Sequence, residues 1–190
     1  MLDLTQIISV SLILFSVIDI IGSVPIIIDL RKKVGHVQSG KATLVAGILM
    51  ILFLFLGQRL LALFGIDVGS FAIAGSIIMF IIGMEMILGH HFFKHEPEVD
   101  TSSSIIPIAF PLVAGAGTLT TIISLKAEYD QWNILIGIVI NLIFVFIVLK
   151  STNWLERIIG EGGIAVLRKV FGIILLSIAI KLFKDNIINL

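Results

Sequence analysis

Seven residues, Asp19-Ile20-Ile21-Gly22-Ser23-Val24-Pro25, constrain this chain most, because they interrupt an apolar run that extends from Leu4 to Ile28. Glycine and proline both weaken a helix interior, and proline also leaves one carbonyl without its donor. A carboxylate at the same place is costly in hydrocarbon unless it is paired, hydrated or neutral. Lipid tolerates irregular backbone only where that backbone faces protein or a water-filled cavity. A second interruption of the same character runs from Pro111 through Gly115 and Gly117 to Thr118. Interrupted helices at corresponding places in two halves of a membrane chain point to a transporter's binding site.

That the chain lives in a membrane follows from its composition. Of 190 residues, 58% are hydrophobic and only 14% are charged, and the mean hydropathy is +1.16. A soluble domain of this size could not hide so much apolar surface. No cysteine is present, which excludes disulfides, thiolate metal sites and cysteine nucleophiles. A formal net charge of zero gives no basic field for nucleic acid. No Lys or Arg precedes the first apolar run, so it lacks the positive flank of a signal peptide and is expected to be a retained span.

A helix needs about 20 apolar residues to cross the hydrocarbon core. Six stretches meet that expectation: Leu4–Ile28, Ala42–Phe64, Val68–Gly89, Ser102–Leu125, Trp132–Leu149 and Ile164–Phe183. The sixth is flanked by Arg168 and Lys169 at one end and Lys181 and Lys184 at the other, so a helix lying on the surface is its alternative. Positive charge in short loops reports orientation. Arg31, Lys32, Lys33, Lys41, Lys94, Lys150, Arg157, Arg168 and Lys169 fall on one side, against Arg59, Lys126, Lys181 and Lys184 on the other. This places both termini outside a plasma (inner) membrane. The polar segment 90–104, a cytoplasmic connection in this reading, divides the chain into three-helix halves at 1–89 and 105–190. An odd number of spans per half makes any internal repeat inverted. The fold class expected is an all-α integral membrane protein of two inverted three-helix repeats, with helices one and four broken.

Asp19 is the sharpest chemical signal. It reads as a ligand for a substrate amine or coupling cation, or as a proton carrier; as a helix cap it would also accept N–H groups freed by the break. Gly22, Ser23 and Pro25 in the first half, with Pro111, Gly115, Gly117, Thr118, Thr120 and Thr121 in the second, supply unwound backbone and hydroxyls. A half-helix starting in mid-membrane aims free N–H groups and a positive dipole end at its cavity, which suits a carboxylate. Glu85 reads either as a second proton group or as a partly hydrated structural acid near the interface. Asn141 reads either as a bond to a neighbouring helix or as part of the cavity wall. Ala72, Gly75, Ser76 and Gly83 read as a packing face. His91 and His95 have the i,i+4 spacing of metal ligands, but Pro97 and the serines around them make a hydrated loop, and no metal is expected. No nucleophile triad, phosphate loop or nucleotide fingerprint is present, so neither enzyme activity nor a cofactor is expected.

The sequence resembles the MarC family of six-span membrane proteins, also described as small neutral amino acid transporters. The first interruption is similar to that family's Asp-Pro-x-Gly-Asn-x-Pro motif, carried here by Asp19, Gly22 and Pro25. The second resembles Pro-Leu-Ala-x-Pro-Leu-x-Ala-Gly-Pro-Gly, matched by Pro107, Ala109, Pro111, Leu112, Ala114, Gly115 and Gly117. Phe64, Gly65, Ile66, Phe71, Ile73, Ala74 and Gly75 look like the start of its third span, and Arg168, Gly172 and Ala179 resemble its last helix. Ile20 and Ala116 stand where the family usually has proline, Ser23 where it has asparagine, and Ala72 where it has arginine. Ser76 replaces a usual glycine, and Lys181 a usual amide.

The resemblance and the two interruptions together imply a secondary transporter of small neutral amino acids such as glycine or alanine, coupled to a proton or to Na+. Its partners would be that substrate, the lipid bilayer and, as a further expectation, copies of itself. Export of another small metabolite or drug, and a passive channel, are the alternatives carried forward, together with a membrane scaffold or an intramembrane enzyme acting on lipid.

Overall fold

The computed structural model describes residues 2–34, 38–89, 105 and 108–188, and the regular elements among them are all helical. The expected polar connection 90–104, with its histidines, and Pro107 lie outside the described residues. Helix α1 (Leu4–Ile18) starts where the Asp3 carboxylate accepts the Thr5 and Gln6 N–H groups at 2.8 and 3.4 Å. It buries Val10, Leu14 and Ile18 at fourfold spacing and exposes Leu4, Ile8, Leu12 and Phe15. One stripe therefore meets protein, and the other meets an apolar surrounding. A turn at Asp19–Ser23 leads into α2 (Val24–Val34), whose Val24, Ile27 and Ile28 are buried.

Helix α3 (Ser39–Leu63) and helix α4 (Val68–Leu88) follow, with Asp67 capping α4 by accepting the Ser70 N–H at 2.7 Å. After a single wide turn at Ile108–Val113, in which Phe110 is extended, α5 runs over Ala116–Leu125. The last element, α6 (Gln131–Ile187), breaks at Gly160, whose φ of 67° and ψ of 170° put it in a region nearly closed to other residues. Its two apolar arms are Gln131–Thr152 and Gly162–Ile187.

Among the described residues four helices are long and apolar enough to cross a membrane: α3 with 25 residues, α4 with 21, and the two arms of α6 with 22 and 26. They correspond to the second, third, fifth and sixth spans expected from the sequence. The first and fourth are divided, leaving the shorter apolar helices α1 and α5. Large apolar side chains exposed along α3, such as Leu44, Ile48, Phe55 and Leu63, would be an aggregation surface in water and are ordinary in lipid.

Helix α5 is the centre of the packing. Only Thr121 and Ser124 of its ten residues escape full burial, and α1, α3 and α4 all pack on it. At about 15 Å it is too short to cross the bilayer, and its burial on nearly every side puts it inside the protein. Small residues let its neighbours close in. A Cβ on Gly75 of α4 would fall on the Ala116 methyl. Gly83 and Gly172 face each other where α4 crosses the second arm of α6, each carbonyl within 3.2 Å of the other's Cβ position. Ala72, Gly75, Ser76 and Gly83 thus form the buried face of α4. The first arm of α6 packs on α1, with Gly137 against Val10 and Phe144 edge-on to Phe15 at 5.1 Å.

Candidate functional site

The chain leaves α1 through Asp19, which lies in the left-handed region (φ 42°, ψ 49°) and donates its N–H to the Phe15 carbonyl at 3.3 Å. Aspartate is among the few residues other than glycine that accept this conformation, because its short side chain bonds local backbone. Here the carboxylate turns back and accepts the Gly22 N–H at 3.2 Å. Ser23 donates both its N–H and its hydroxyl to the Asp19 carbonyl, each at 3.1 Å. The absence of a side chain at Gly22 is what lets the carboxylate sit there, since a Cβ would occupy its place. Among the described residues no cation forms an ion pair with Asp19.

The second interruption is built from backbone. Phe110 is extended, Pro111 follows, and the Ala114 N–H reaches the Ala109 carbonyl at 2.9 Å. Gly115 then opens α5 with no side chain capping the first turn. The N–H groups of that turn have no partner within their helix, and they concentrate the positive end of its dipole. The threonines attend to the carbonyls instead. Thr118 donates to Val113 at 3.0 Å, and Thr120 and Thr121 both donate to Gly117, at 3.1 and 2.7 Å. These bonds satisfy backbone that water cannot reach.

Both interruptions open onto one recess. From the first come Val17, Ile18, Asp19 and Ser23; from the second, Pro111, Leu112, Gly115, Gly117 and Thr118. Met79 and Ile82 of α4, with Leu175 and Ile178 of the second arm of α6, close it with apolar walls. Water centres have about 20 Å³ to move in, which is room for about one water. Its lining is mixed: an aspartate and a serine from the first interruption, the uncapped start of α5 from the second, and apolar side chains from α4 and α6.

The family model described as MarC family integral membrane protein matches residues 4–190. The chain belongs to the MarC family. It is similar to the UPF0056 inner membrane protein YhgN of Escherichia coli (strain K12), at 29% identity over 97% of each chain. It is also similar to the UPF0056 membrane protein MJ1677 of Methanocaldococcus jannaschii, at 29% identity over 92% of each chain. The UPF0056 membrane protein BU449 of Buchnera aphidicola subsp. Acyrthosiphon pisum (strain APS) is 27% identical over 97% of each. No solved structure matches the chain. With four membrane-length apolar helices among its described residues, this MarC protein is a multi-pass membrane protein.

Of the site residues named from the sequence, Asp19, Ser23, Pro111, Gly115, Gly117 and Thr118 line the recess together. Gly22 and Pro25 lie buried behind the first interruption, and Thr121 sits one turn along α5. Asn141 stands elsewhere, on the first arm of α6, with its amide donating to the Ser11 carbonyl at 3.1 Å and to Gly137 at 2.9 Å. Glu85 is half-buried on α4, one turn beyond Ile82, and has its own partner there. The apolar wall residues Met79, Ile82, Leu175 and Ile178 were not singled out by sequence reasoning. No feature of the sequence separates them from the apolar residues that face outward.

Proposed function

We propose that this MarC protein is a secondary transporter of small neutral amino acids, binding them in the recess between the two interruptions. One observation carries the reading: Asp19 and residues of the uncapped first turn of α5 line the same small cavity. A zwitterion matches that polarity. Its amine meets the Asp19 carboxylate, and its carboxylate meets the N–H groups at the start of α5. The apolar walls suit a short side chain and offer nothing to a second charge.

Room for about one water does not accommodate even glycine, so loading requires the two halves of the chain to move apart. In this reading residues 1–89 and 105–190 are inverted three-helix repeats, each opening with a broken helix, and one rocks against the other to alternate access. With no cation paired to it among the described residues, Asp19 is suited to carry a proton between the two states, and Na+ is the alternative coupling ion. Glu85 would be a second proton group. The protein would sit in the inner membrane, as the name of YhgN says of that protein, with both termini outside.

The test is counterflow in proteoliposomes with radiolabelled glycine and alanine. Labelled substrate should accumulate against unlabelled substrate, which a passive channel cannot do. Asp19→Asn should abolish accumulation while leaving the protein folded, because asparagine can still accept the Gly22 N–H. Wild-type transport with an unaffected Asn variant would reject Asp19 as the amine site.

A further inference from the structure

Three glycines around the recess are explained by packing. A Cβ on Gly22 would fall on the Asp19 carboxylate, one on Gly115 on the Pro111 carbonyl, and one on Gly75 on the Ala116 methyl. Gly117 is different. A Cβ there would meet Leu182 at 3.4 Å and Met79 and Val17 at 3.8 Å each, which is ordinary van der Waals contact. Its φ is not in the left-handed region. Glycine weakens a helix relative to alanine, yet nothing in the surrounding structure asks for one at this place. What Gly117 does have is a position on the recess wall, in the first turn of α5.

We propose that Gly117 sets the size limit of the substrate. The space its missing side chain leaves, bounded by Val17 of α1, Met79 of α4 and Leu182 of α6, receives the methyl group of alanine or the bare Cα of glycine. It also lets the substrate carboxylate approach the N–H groups of the α5 start without a Cβ in between. This inference rests on the amino acid transport reading above and deepens it. A methyl group at residue 117 fills the space that a substrate methyl would take, so larger substrates are excluded first. Met79, whose sulfur lies across the same space, is the neighbour whose shortening gives the volume back.

The experiment compares counterflow of alanine and glycine by purified wild type, Gly117→Ala, Met79→Ala and the double variant, with melting temperatures of each. One methyl group in an apolar pocket discriminates by about tenfold or more. Gly117→Ala should therefore lower the alanine-to-glycine ratio by about that factor, with a melting temperature equal to wild type or slightly higher. The double variant should restore the ratio. An unchanged ratio in a folded Gly117→Ala protein overturns the proposal. So does a melting temperature lowered by several degrees, since packing would then be what requires the glycine. Wild type that moves neither amino acid rejects the transport reading itself, and that failure is visible before any variant is compared.

Discussion

Asp19 closes α1 and Gly115 opens α5, and the two breaks at which they stand are held by different means. At the first interruption a side chain repairs the backbone: the Asp19 carboxylate takes the Gly22 N–H, and Ser23 returns two bonds to the Asp19 carbonyl. At the second, Gly115 gives no cap, and the hydroxyl of Thr118 reaches back to the Val113 carbonyl instead. One break thus brings in an acidic side chain that accepts a backbone N–H. The other brings in a hydroxyl that donates to a backbone carbonyl and has no side-chain cap for the first-turn N–H groups. Two breaks of the same kind would make a recess of one sign, suited to a cation or an anion alone. Their difference is what makes a zwitterion the best complement.

The largest effect that tests this contrast comes from adding a methyl group to each break. At Gly115 the added Cβ meets the Pro111 carbonyl, which is backbone and cannot move without moving the turn. Gly115→Ala should cost about 3 kcal/mol or more, read as a large drop in melting temperature or in the yield of folded protein. At Gly22 the same Cβ meets a carboxylate at the end of a side chain that can rotate away. Gly22→Ala should cost only about 1 kcal/mol, the value of the lost Gly22 bond. It should still remove the stabilisation by glycine or alanine, because Asp19 no longer points as it did. Wild type at one hundred times the dissociation constant gains about 2.7 kcal/mol from ligand. Equal losses of stability at the two glycines would erase the distinction between a side-chain break and a backbone break.

How much of this was readable beforehand depends on what stands out in hydrocarbon. Asp19, Gly22, Ser23, Gly115, Gly117 and Thr118 are polar or helix-weakening residues inside apolar runs, so their pattern located both breaks. Lipid removes the usual contrast between a protein's inside and outside, because the outer face is apolar as well. Met79 and Ile82 line the recess while Ile77 and Phe80, on the same helix, are exposed, and nothing in the residue types separates them. Asn141 shows the converse. A lone amide in a span most often bonds a neighbouring helix and less often lines a cavity, and here its donors go to Ser11 and Gly137. The bend in α6 was obscured by chemistry of its own. Gly160, Gly162 and Gly163 lie together, and only the first has a positive φ. The helix runs on from Thr152 through charged residues that read as a loop.

A smaller effect tests whether the second break depends on its threonine. Thr118 is buried, and its hydroxyl donates to the Val113 carbonyl at 3.0 Å. Thr118→Val keeps the shape and removes the donor, leaving a buried carbonyl one bond short. The expected loss is about 1 kcal/mol, within the range found for buried hydrogen bonds in membrane proteins. Thermal unfolding in detergent measures it. No loss would mean that another donor serves that carbonyl and that Thr118 is free to contact substrate.

The smallest expected effect uses an aspartate that caps a helix and is not part of the recess lining. Asp67 accepts the Ser70 hydroxyl at 2.6 Å and the Ser70 N–H at 2.7 Å, on the exposed end of α4. The Ser70 hydroxyl first, then its backbone N–H, hold the carboxyl below its ordinary value of 3.8. A depressed value means that the folded state binds the proton less readily than the unfolded chain does. The stabilisation is therefore complete above pH 3.8 and fades as pH falls through the lower folded-state value. Asp67→Ala should flatten the acid limb of melting temperature against pH slightly and leave substrate binding unchanged, since the exposed pair is screened by solvent. Asp19→Asn should do the reverse, removing the ligand-induced shift. If both aspartate variants alter ligand binding alike, the role assigned to Asp19 belongs to charge in general and not to its place at the break.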